Sequence, residues 1–516
     1  MKRRSFLRHT MHSLAVPGVL GTMGFRMPRA SSLSSLLRMA ADTDRVLVMI
    51  YLDGGNDGLN TVIPLDQLSA LNSVRPHVIL PDDSLLSLSQ SEVALHPSLS
   101  GLKSLYDEGR LRVIQNVGYP EQNYSHFRST DIWMSASDSK ELVNSGWSGR
   151  YLNEIYPDYP ESYPSEEMPD PLSIEIGYGS SLLFQGPAAS MGMVINNTDG
   201  FYGLIDDQEE EAPDTPAGEK LKYLRLIARQ SQLYGDVVKT AANKIKSQAE
   251  YPQTNLADQL KIVSRLIAGG LRTPLYLVRL GGFDTHDAQV EASDHTTGEH
   301  AELLETLNDA IMAFMADLEM QGTEDKVVGM TFSEFGRRIV SNASLGTDHG
   351  AAAPMFFFGN AVKGGVLGEN PIIPPNANYD NNLEWKYDFR QIYASILSQW
   401  LGASDSQLQS TLFNGFDQVE IIGTSEPFLA NTQSLEKGLS VYPNPLNGQA
   451  TIRIGQTNEP VSIDVINMQG QHVKHLGEAQ IHGQEEIRWD THDLPKGKYF
   501  VMVRGSITKR VFPVIK

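Results

Sequence analysis

Residues 46–52 (VLVMIYL) are apolar almost without a break and run straight into Asp53-Gly54-Gly55-Asn56-Asp57-Gly58-Leu59-Asn60. A continuous apolar run closed by turn residues predicts a strand covered on both faces in a parallel sheet, because a half-exposed strand would alternate. The pattern returns three times. Residues 110–116 lead into VGYPEQNYSHFR, 273–280 into GGFDTHD, and 325–332 into SEFGRR and then GTDHG. Each β-rich run ends in carboxylates, histidines or hydroxyls. Ligands of open α/β sheets sit beyond the carboxyl ends of the strands, so four strands are expected to deliver polar clusters to one edge.

Helical periodicity fills the intervals, at 94–109, 127–136, 220–249, 255–269 and 299–321. The last is the clearest, with Leu303, Leu304, Leu307, Ile311, Phe314 and Leu318 on one face. Strand and helix alternate to about Leu401, which predicts a three-layer α/β domain with a mainly parallel sheet, bounded at 42–424. A linker-like stretch, 425–438, follows. From Leu439 short alternating runs at 451–454, 461–466, 485–489, 499–503 and 509–514 predict a small C-terminal β-sandwich over 439–516, with turns at Asn447-Gly448, Gln469-Gly470 and Lys496-Gly497.

The first forty residues belong outside the fold. Lys2-Arg3-Arg4-Ser5-Phe6-Leu7-Arg8 is a twin-arginine pattern, and a modest apolar stretch at 14–25 follows it. Together they predict an export signal cut between Ala30 and Ala41, too short and broken to span a bilayer as a helix of the mature chain. The alternative is a basic amphipathic arm. The whole chain carries a net charge of −20; without the seven Lys or Arg ahead of Met39, a stretch that has no Asp or Glu, the charge is −27. Such a surface repels nucleic acid and anionic membranes, and the acidic segment 206–219 reads as a solvated loop. There is no cysteine. That excludes disulfides, thiolate metal sites and cysteine nucleophiles, so any metal must be held by Asp, Glu, His or hydroxyl oxygen.

The strand-end clusters offer such donors. Asp53 and Asp57 supply hard oxygens, Asp284 and His286 form a D-x-H pair, and Asp348 and His349 are adjacent. All six are expected metal ligands for a divalent ion, with Zn, Mn, Mg and Ca equally suited. Hydrolysis of a phosphate or sulfate ester needs an activated oxygen nucleophile and positive charge where negative charge develops. Ser125 opens a helix whose backbone N–H groups could hold an anion, which makes it the candidate catalytic residue. Asn56, His126, Glu334 and Arg337 are expected in support. Blander readings stand beside these. The Asp-Gly-Gly-Asn turn can be only a turn, Ser125 only an N-cap, and His286 a cap or a partner of a carbonyl. Glu334, Arg337 and Arg338 can form a buried ion-pair network, and 146–150 a scaffold or rim.

Taken with the arginine pair, the α/β domain resembles a family of twin-arginine-exported bacterial proteins of unknown function in the alkaline phosphatase and sulfatase superfamily. The likeness is carried by residues 52–60, Ser125-His126-Phe127, Gly146-Trp147-Ser148-Gly149-Arg150, Gly281-Gly282-Phe283-Asp284-Thr285-His286, Ser333-Glu334-Phe335-Gly336-Arg337 and Gly346-Thr347-Asp348-His349-Gly350. It implies an alkaline-phosphatase-like domain, two divalent ions, Ser125 in the place of the superfamily nucleophile, and metal-dependent hydrolysis of phosphate or sulfate esters. Two departures count against the simple version. No histidine lies between His349 and His472, where a two-metal phosphatase has another, which leaves His295, His300, a single ion or a lost site. The Pro-Ser-Arg context for formylglycine is missing, which disfavours a standard sulfatase. The rival expectation is a non-catalytic surface protein that keeps the fold for binding or assembly.

The tail resembles the type IX secretion sorting domain of exported Bacteroidetes proteins through Tyr442-Pro443-Asn444-Pro445, residues 463–470 (IDVINMQG), residues 494–501 (LPKGKYFV) and the basic ending at Lys516. This implies the export and type IX secretion machinery as partners and delivery to the cell surface or release. An adhesive or carbohydrate-binding sandwich is the alternative. It would present exposed aromatics, and Trp489 is the tail's only tryptophan.

Overall fold

The computed structural model describes residues 44–196 except 167 and 178, 233–423 except 414, and, in the tail, 439–454, 460–467, 472–479, 485–492, 494–504 and 509–516. The signal region, the acidic segment 206–219, the first part of the expected helix at 220–249 and the linker 425–438 lie outside the described residues.

Nine strands build one mixed, mainly parallel sheet: β1 (Val46–Asp53), β2 (Leu111–Gly118), β3 (Ser173–Ile176), β4 (Met193–Ile195), β5 (Leu275–Gly281), β6 (Val327–Phe332), β7 (Ala353–Phe358), β8 (Gly365–Leu367) and β9 (Tyr387–Asp388). Their order is β8-β2-β7-β6-β1-β5-β3-β4, with β9 beside β2. β1 lies at the centre, parallel to β5 on one side and β6 on the other. Its seven apolar residues are all buried. Leu47, Met49 and Tyr51 point into one core, and Val46, Val48, Ile50 and Leu52 into a second core on the opposite face. The two-sided burial read from the unbroken apolar run is therefore what this strand adopts.

Helices cover both faces. The first core receives Trp133 from α1 (His126–Ser135) and Phe389, Tyr393 and Ile396 from a helix at Phe389–Gln399. The second receives Leu256, Leu260 and Val263 from α2 (Asn255–Ala268), and Leu304, Leu307, Ile311, Phe314 and Leu318 from α3 (Glu299–Gln321). Those five α3 side chains are fully buried, each stabilising the layer by roughly 1.5–3 kcal/mol relative to exposure.

Besides β3, β4, β8 and β9, for which no strand was foreseen, two elements differ from expectation. The helix foreseen at 94–109 is split into a strand at Val93–Leu95, a short turn of helix at Pro97–Leu99 and a helix at Ser100–Asp107. Pro97 has no N–H to continue a helix from upstream, and the His96 ring accepts the Ser98 N–H at 3.1 Å instead. The second is β7, which no strand expectation covered. It runs antiparallel between β2 and β6. Because it follows the GTDHG loop directly, it returns across the sheet without the helix that a parallel partner would require.

The tail is a β-sandwich of two antiparallel sheets. One contains β10 (Leu439–Asn447), β11 (Gln449–Ile454) and β14 (Glu485–Asp490), in the order β10-β11-β14. The other contains β12 (Val461–Asn467), β13 (His472–Ala479), β15 (Lys498–Arg504) and β16 (Lys509–Ile515), in the order β13-β12-β15-β16. Trp489 is 1% exposed inside the core these sheets share. It is a packing residue and is not part of an exposed aromatic surface. No helix among the described residues is long and apolar enough to cross a membrane.

Candidate metal centre

The carboxyl ends of β1, β2, β5 and β6 meet at one edge of the sheet. The turn after β1 makes this possible. Gly54 and Gly55 have φ of +124° and +86°, and a Cβ on Gly54 would lie 2.4 Å from the Asp284 backbone nitrogen. Glycine therefore lets the β1 and β5 loops close on each other. Arg337, 1% exposed, then ties the loops together. Its guanidinium donates to the carbonyls of Gly54, Gly55 (2.7 Å), Phe283 (2.8 Å) and Thr347 (2.8 Å), and to Asp284 Oδ1 (2.8 Å).

Three histidines point at Asp284. His349 Nδ1 donates to the Tyr124 carbonyl at 2.8 Å, which can only accept, so its Nε2 carries a bare lone pair; that atom lies 3.1 Å from Asp284 Oδ1. His286 Nδ1 pairs with Asp348 Oδ1 at 2.9 Å, leaving Nε2 to face Asp284 Oδ1 at 3.1 Å and His349 Nε2 at 2.9 Å. His126 Nδ1 pairs with Glu334 Oε1 at 2.8 Å, and its Nε2 is buried without a hydrogen-bond partner, 3.3 Å from Asp284 Oδ2. The ligand atoms of His126, Asp284 and His349 all lie within 4.8 Å of one another.

Lone pairs and carboxylate oxygens converging like this repel one another unless a cation lies among them. Each ring, moreover, is oriented through its outer nitrogen by a carboxylate or carbonyl, the arrangement that fixes a metal-binding imidazole. The donor set thus fits a divalent ion with affinity for mixed nitrogen and oxygen ligands. Charge follows the same geometry. Partial burial raises the Asp284 pKa, but the hydrogen bond and positive charge of Arg337 counter it, and the carboxyl is held at about 2. The Glu334 hydrogen bond raises His126, while burial lowers His349. Burial and the Glu334 charge raise Asp53.

The structure places the expected residues as follows. Asp284, His286 and His349 come together; Asp348, expected as a ligand, instead stands behind the His286 ring, Glu334 stands behind the His126 ring, and Arg337 holds Asp284. Asp53 stands at the end of β1, 3.4 Å from Arg279 Nη1, beside the cluster and outside the ligand triad. Asp57, expected as a ligand, requires correction. It is 1% exposed, N-caps a short helix at Gly58–Thr61, accepts from Gln289 Nε2 at 2.6 Å and forms an ion pair with fully buried Arg75. Its carboxylate is consumed in holding the turn. Asn56 likewise braces that turn, accepting from Thr61 and His300 at 2.9 and 3.1 Å. His295 bonds the Ile79 carbonyl and His300 bonds Asn56, so neither joins the cluster around Asp284.

Ser125 occupies the N-cap position of α1, exposed and without a side-chain capping bond. Its neighbour His126, expected only in support, stands in the triad that could hold an ion. Tyr124, Arg75, Gln289 and Asn342 were not foreseen. Asn342 donates to the His286 carbonyl and to Asp348 Oδ1, at 2.8 and 3.4 Å. Its place in a Ser-Asn-Ala-Ser turn is a signal for local bracing; a backbone carbonyl such as that of Tyr124 leaves none.

Fold and site together define an α/β protein with a histidine–aspartate cluster on its carboxyl edge. Residues 223–408 match the family model described as a protein of unknown function (DUF1501), and residues 440–515 match the secretion system C-terminal sorting domain. The chain therefore carries a DUF1501 region and a type IX sorting tail, and is delivered to the cell surface or secreted. No curated protein matches it. Among solved structures it is similar to the PsFucS1 sulfatase from Pseudoalteromonas sp., at 11% identity over 90% of this chain and 88% of that one, with a TM-score of 0.33. It is also similar to the phosphonate monoester hydrolase SpPMH from Silicibacter pomeroyi, at 10% identity over 91% and 88%, with a TM-score of 0.31. Neither likeness says what this chain acts on.

Proposed function

We propose that the α/β domain is a metal-dependent hydrolase of phosphate or sulfate esters, carried outward by its sorting tail. One observation carries the reading: three imidazoles, each oriented from behind by Glu334, Asp348 or the Tyr124 carbonyl, turn bare nitrogens toward a single ionised carboxylate, Asp284.

Asp284, His126 and His349 would hold a divalent ion, with His286 adjoining. When bound, such an ion supplies concentrated positive charge that polarises an ester oxygen. The protein's own groups do the rest. Arg337 keeps Asp284 ionised and fixes its position. Glu334 and Asp348 hold the outer protons of His126 and His286, which keeps the inner nitrogens free. The first-turn N–H groups of α1, a helix of ten residues, are offered to an anionic group next to the Ser125 hydroxyl. Ser125 is the residue we assign as nucleophile. Arg338 lies with its guanidinium 5.9 Å from the Tyr124 ring, adding positive charge on the same side.

A second reading, a surface protein that keeps the cluster for binding and no longer turns over, is favoured by one feature. Among the described residues no side chain hydrogen-bonds the Ser125 hydroxyl, so no base is seen against it. The experiment is elemental analysis of the full chain purified without chelators, followed by hydrolysis assays on aryl phosphate, phosphodiester and aryl sulfate. The hydrolase reading expects a bound divalent ion, activity on one of these esters, and loss of both in Asp284→Ala. Ser125→Ala should retain the ion and lose activity by at least about 10²-fold. Metal without turnover selects the binding reading; absence of both sinks the metal site itself.

A further inference from the structure

A second group of titratable side chains lies far along the chain, on the sorting tail. Asp464 on β12 and His472 and His475 on β13 bring ligand atoms within 4.8 Å of one another. Asp464 Oδ1 lies 2.9 Å from His472 Nε2 and 2.7 Å from His475 Nδ1, while Oδ2 accepts from the Ser462 hydroxyl. The carboxylate is largely covered, with 14% of its side chain exposed; the rings are 54% and 49% exposed. A fixed acid is thus faced by two accessible imidazoles.

This convergence is not what a regular strand produces. Residues three apart on a strand point to opposite faces. Here Asp464 pairs with His475 and position 466 with His472, although 465 pairs with Lys474. Val473 is therefore an extra residue, a bulge that resets the phase of β13 and turns His472 to the face of His475 and Asp464. A second register shift, between 463 and 464, leaves Leu476 unpaired on the same strand. Among the described residues β13 is also an outer strand of its sheet, paired on one side.

We propose that Asp464, His472 and His475 form a divalent-ion site independent of the α/β domain, selective for Zn²⁺ and similar nitrogen-seeking ions, which clips the edge strand β13 to β12. Two imidazoles among three donors disfavour Mg²⁺ and Ca²⁺, which take oxygen. Three protein ligands on an exposed face leave the remaining positions to water or to a group from another molecule. An ion bound across the two strands stabilises their pairing by mass action, and the effect falls on the strand with the least other support.

The test uses the full chain and two variants, Asp284→Ala and His472→Ala/His475→Ala, in equilibrium dialysis against Zn²⁺ with elemental analysis, and hydrogen exchange over 472–479. The double variant should bind about one Zn²⁺ fewer per chain than the parent, whereas Asp284→Ala keeps that ion whether or not the α/β site binds. At Zn²⁺ near ten times its Kd, exchange in β13 should slow by about tenfold in the parent and Asp284→Ala proteins, but not in the double variant. Both histidines are half exposed, so their removal leaves the fold intact. Equal stoichiometry in parent and double variant overturns the site, and Zn²⁺ bound without slower exchange over 472–479 overturns the clip.

Discussion

The α/β domain and the tail each gather histidines around one aspartate, yet they do so by opposite means. In the α/β domain, His126 at the start of α1, Asp284 in the loop after β5 and His349 in a short strand at His349–Gly350 come together, and each ring is held from behind by a group from a different part of the chain. In the tail, all three residues lie on two adjacent strands, and the rings reach the carboxylate through a bulge. The first cluster exists only if the whole sheet is assembled. The second needs one strand pair. Orientation by a buried surround makes a site specific and costly to disturb, whereas assembly on a surface hairpin leaves it exposed and adjustable.

The largest contrast is all or none. Each region has its own core, so deleting 439–516 should leave thermal unfolding of the α/β domain unchanged while abolishing delivery to the surface. Cell fractionation in the host reads the second effect. Continued surface delivery would break the assignment of roles, and an unfolded truncation would merge the two regions into one.

Next comes the buried support of the metal-side turn. Arg75→Ala strands the Asp57 carboxylate in the interior and should cost about 3–5 kcal/mol in denaturant unfolding. Metal content measured on the folded protein should stay the same, because Asp57 holds the turn rather than an ion. A lost ion without lost stability would restore Asp57 to the ligand set.

Acid should separate the regions further. Burial holds His300, paired with Asn56, down to about 4. The unfolded chain takes up a proton near pH 6.5 that the folded chain refuses until about pH 4, so stability falls as pH drops through that window. The loss is on the order of 3 kcal/mol. His300→Gln should remove about one proton from the pH slope of the α/β transition and leave the tail's slope alone. An unchanged slope would mean that the ring is not buried neutral.

The smallest effect tests orientation from behind. Glu334→Gln keeps the volume next to His126 but weakens the grip on its Nδ1 proton, and should lower metal affinity of the α/β site by about 10–100-fold with a ligand left in place. Titration with a fluorescent competitor reads it. The tail site, which lacks such backing, should bind as before.

Much of the architecture was legible along the chain. The apolar run at 46–52 specified a strand covered on both sides, α3 was bounded at 299–321 by its own period, and five of the seven tail strands followed from alternation. Pairing within β7 was not, since a short aromatic run next to a loop carries no mark of the direction in which it will lie. Neither was the bulge at Val473, because an extra residue in a strand is defined only by its partner.

Hydrophobic period and turn residues are local properties, so the chain alone places acids and histidines at the ends of buried strands. Which of them meet was decided by tertiary structure alone. Asp53 and Asp57 stand four residues apart in one polar turn, yet one faces the open edge and the other pairs inside with Arg75. Ser125 and His126 are neighbours, and the start of α1 sets which of them turns toward Asp284. Residues 126, 284 and 349 share no period or spacing; they meet because β2, β5 and β6 end at one edge, and strand order is set by packing between segments hundreds of residues apart.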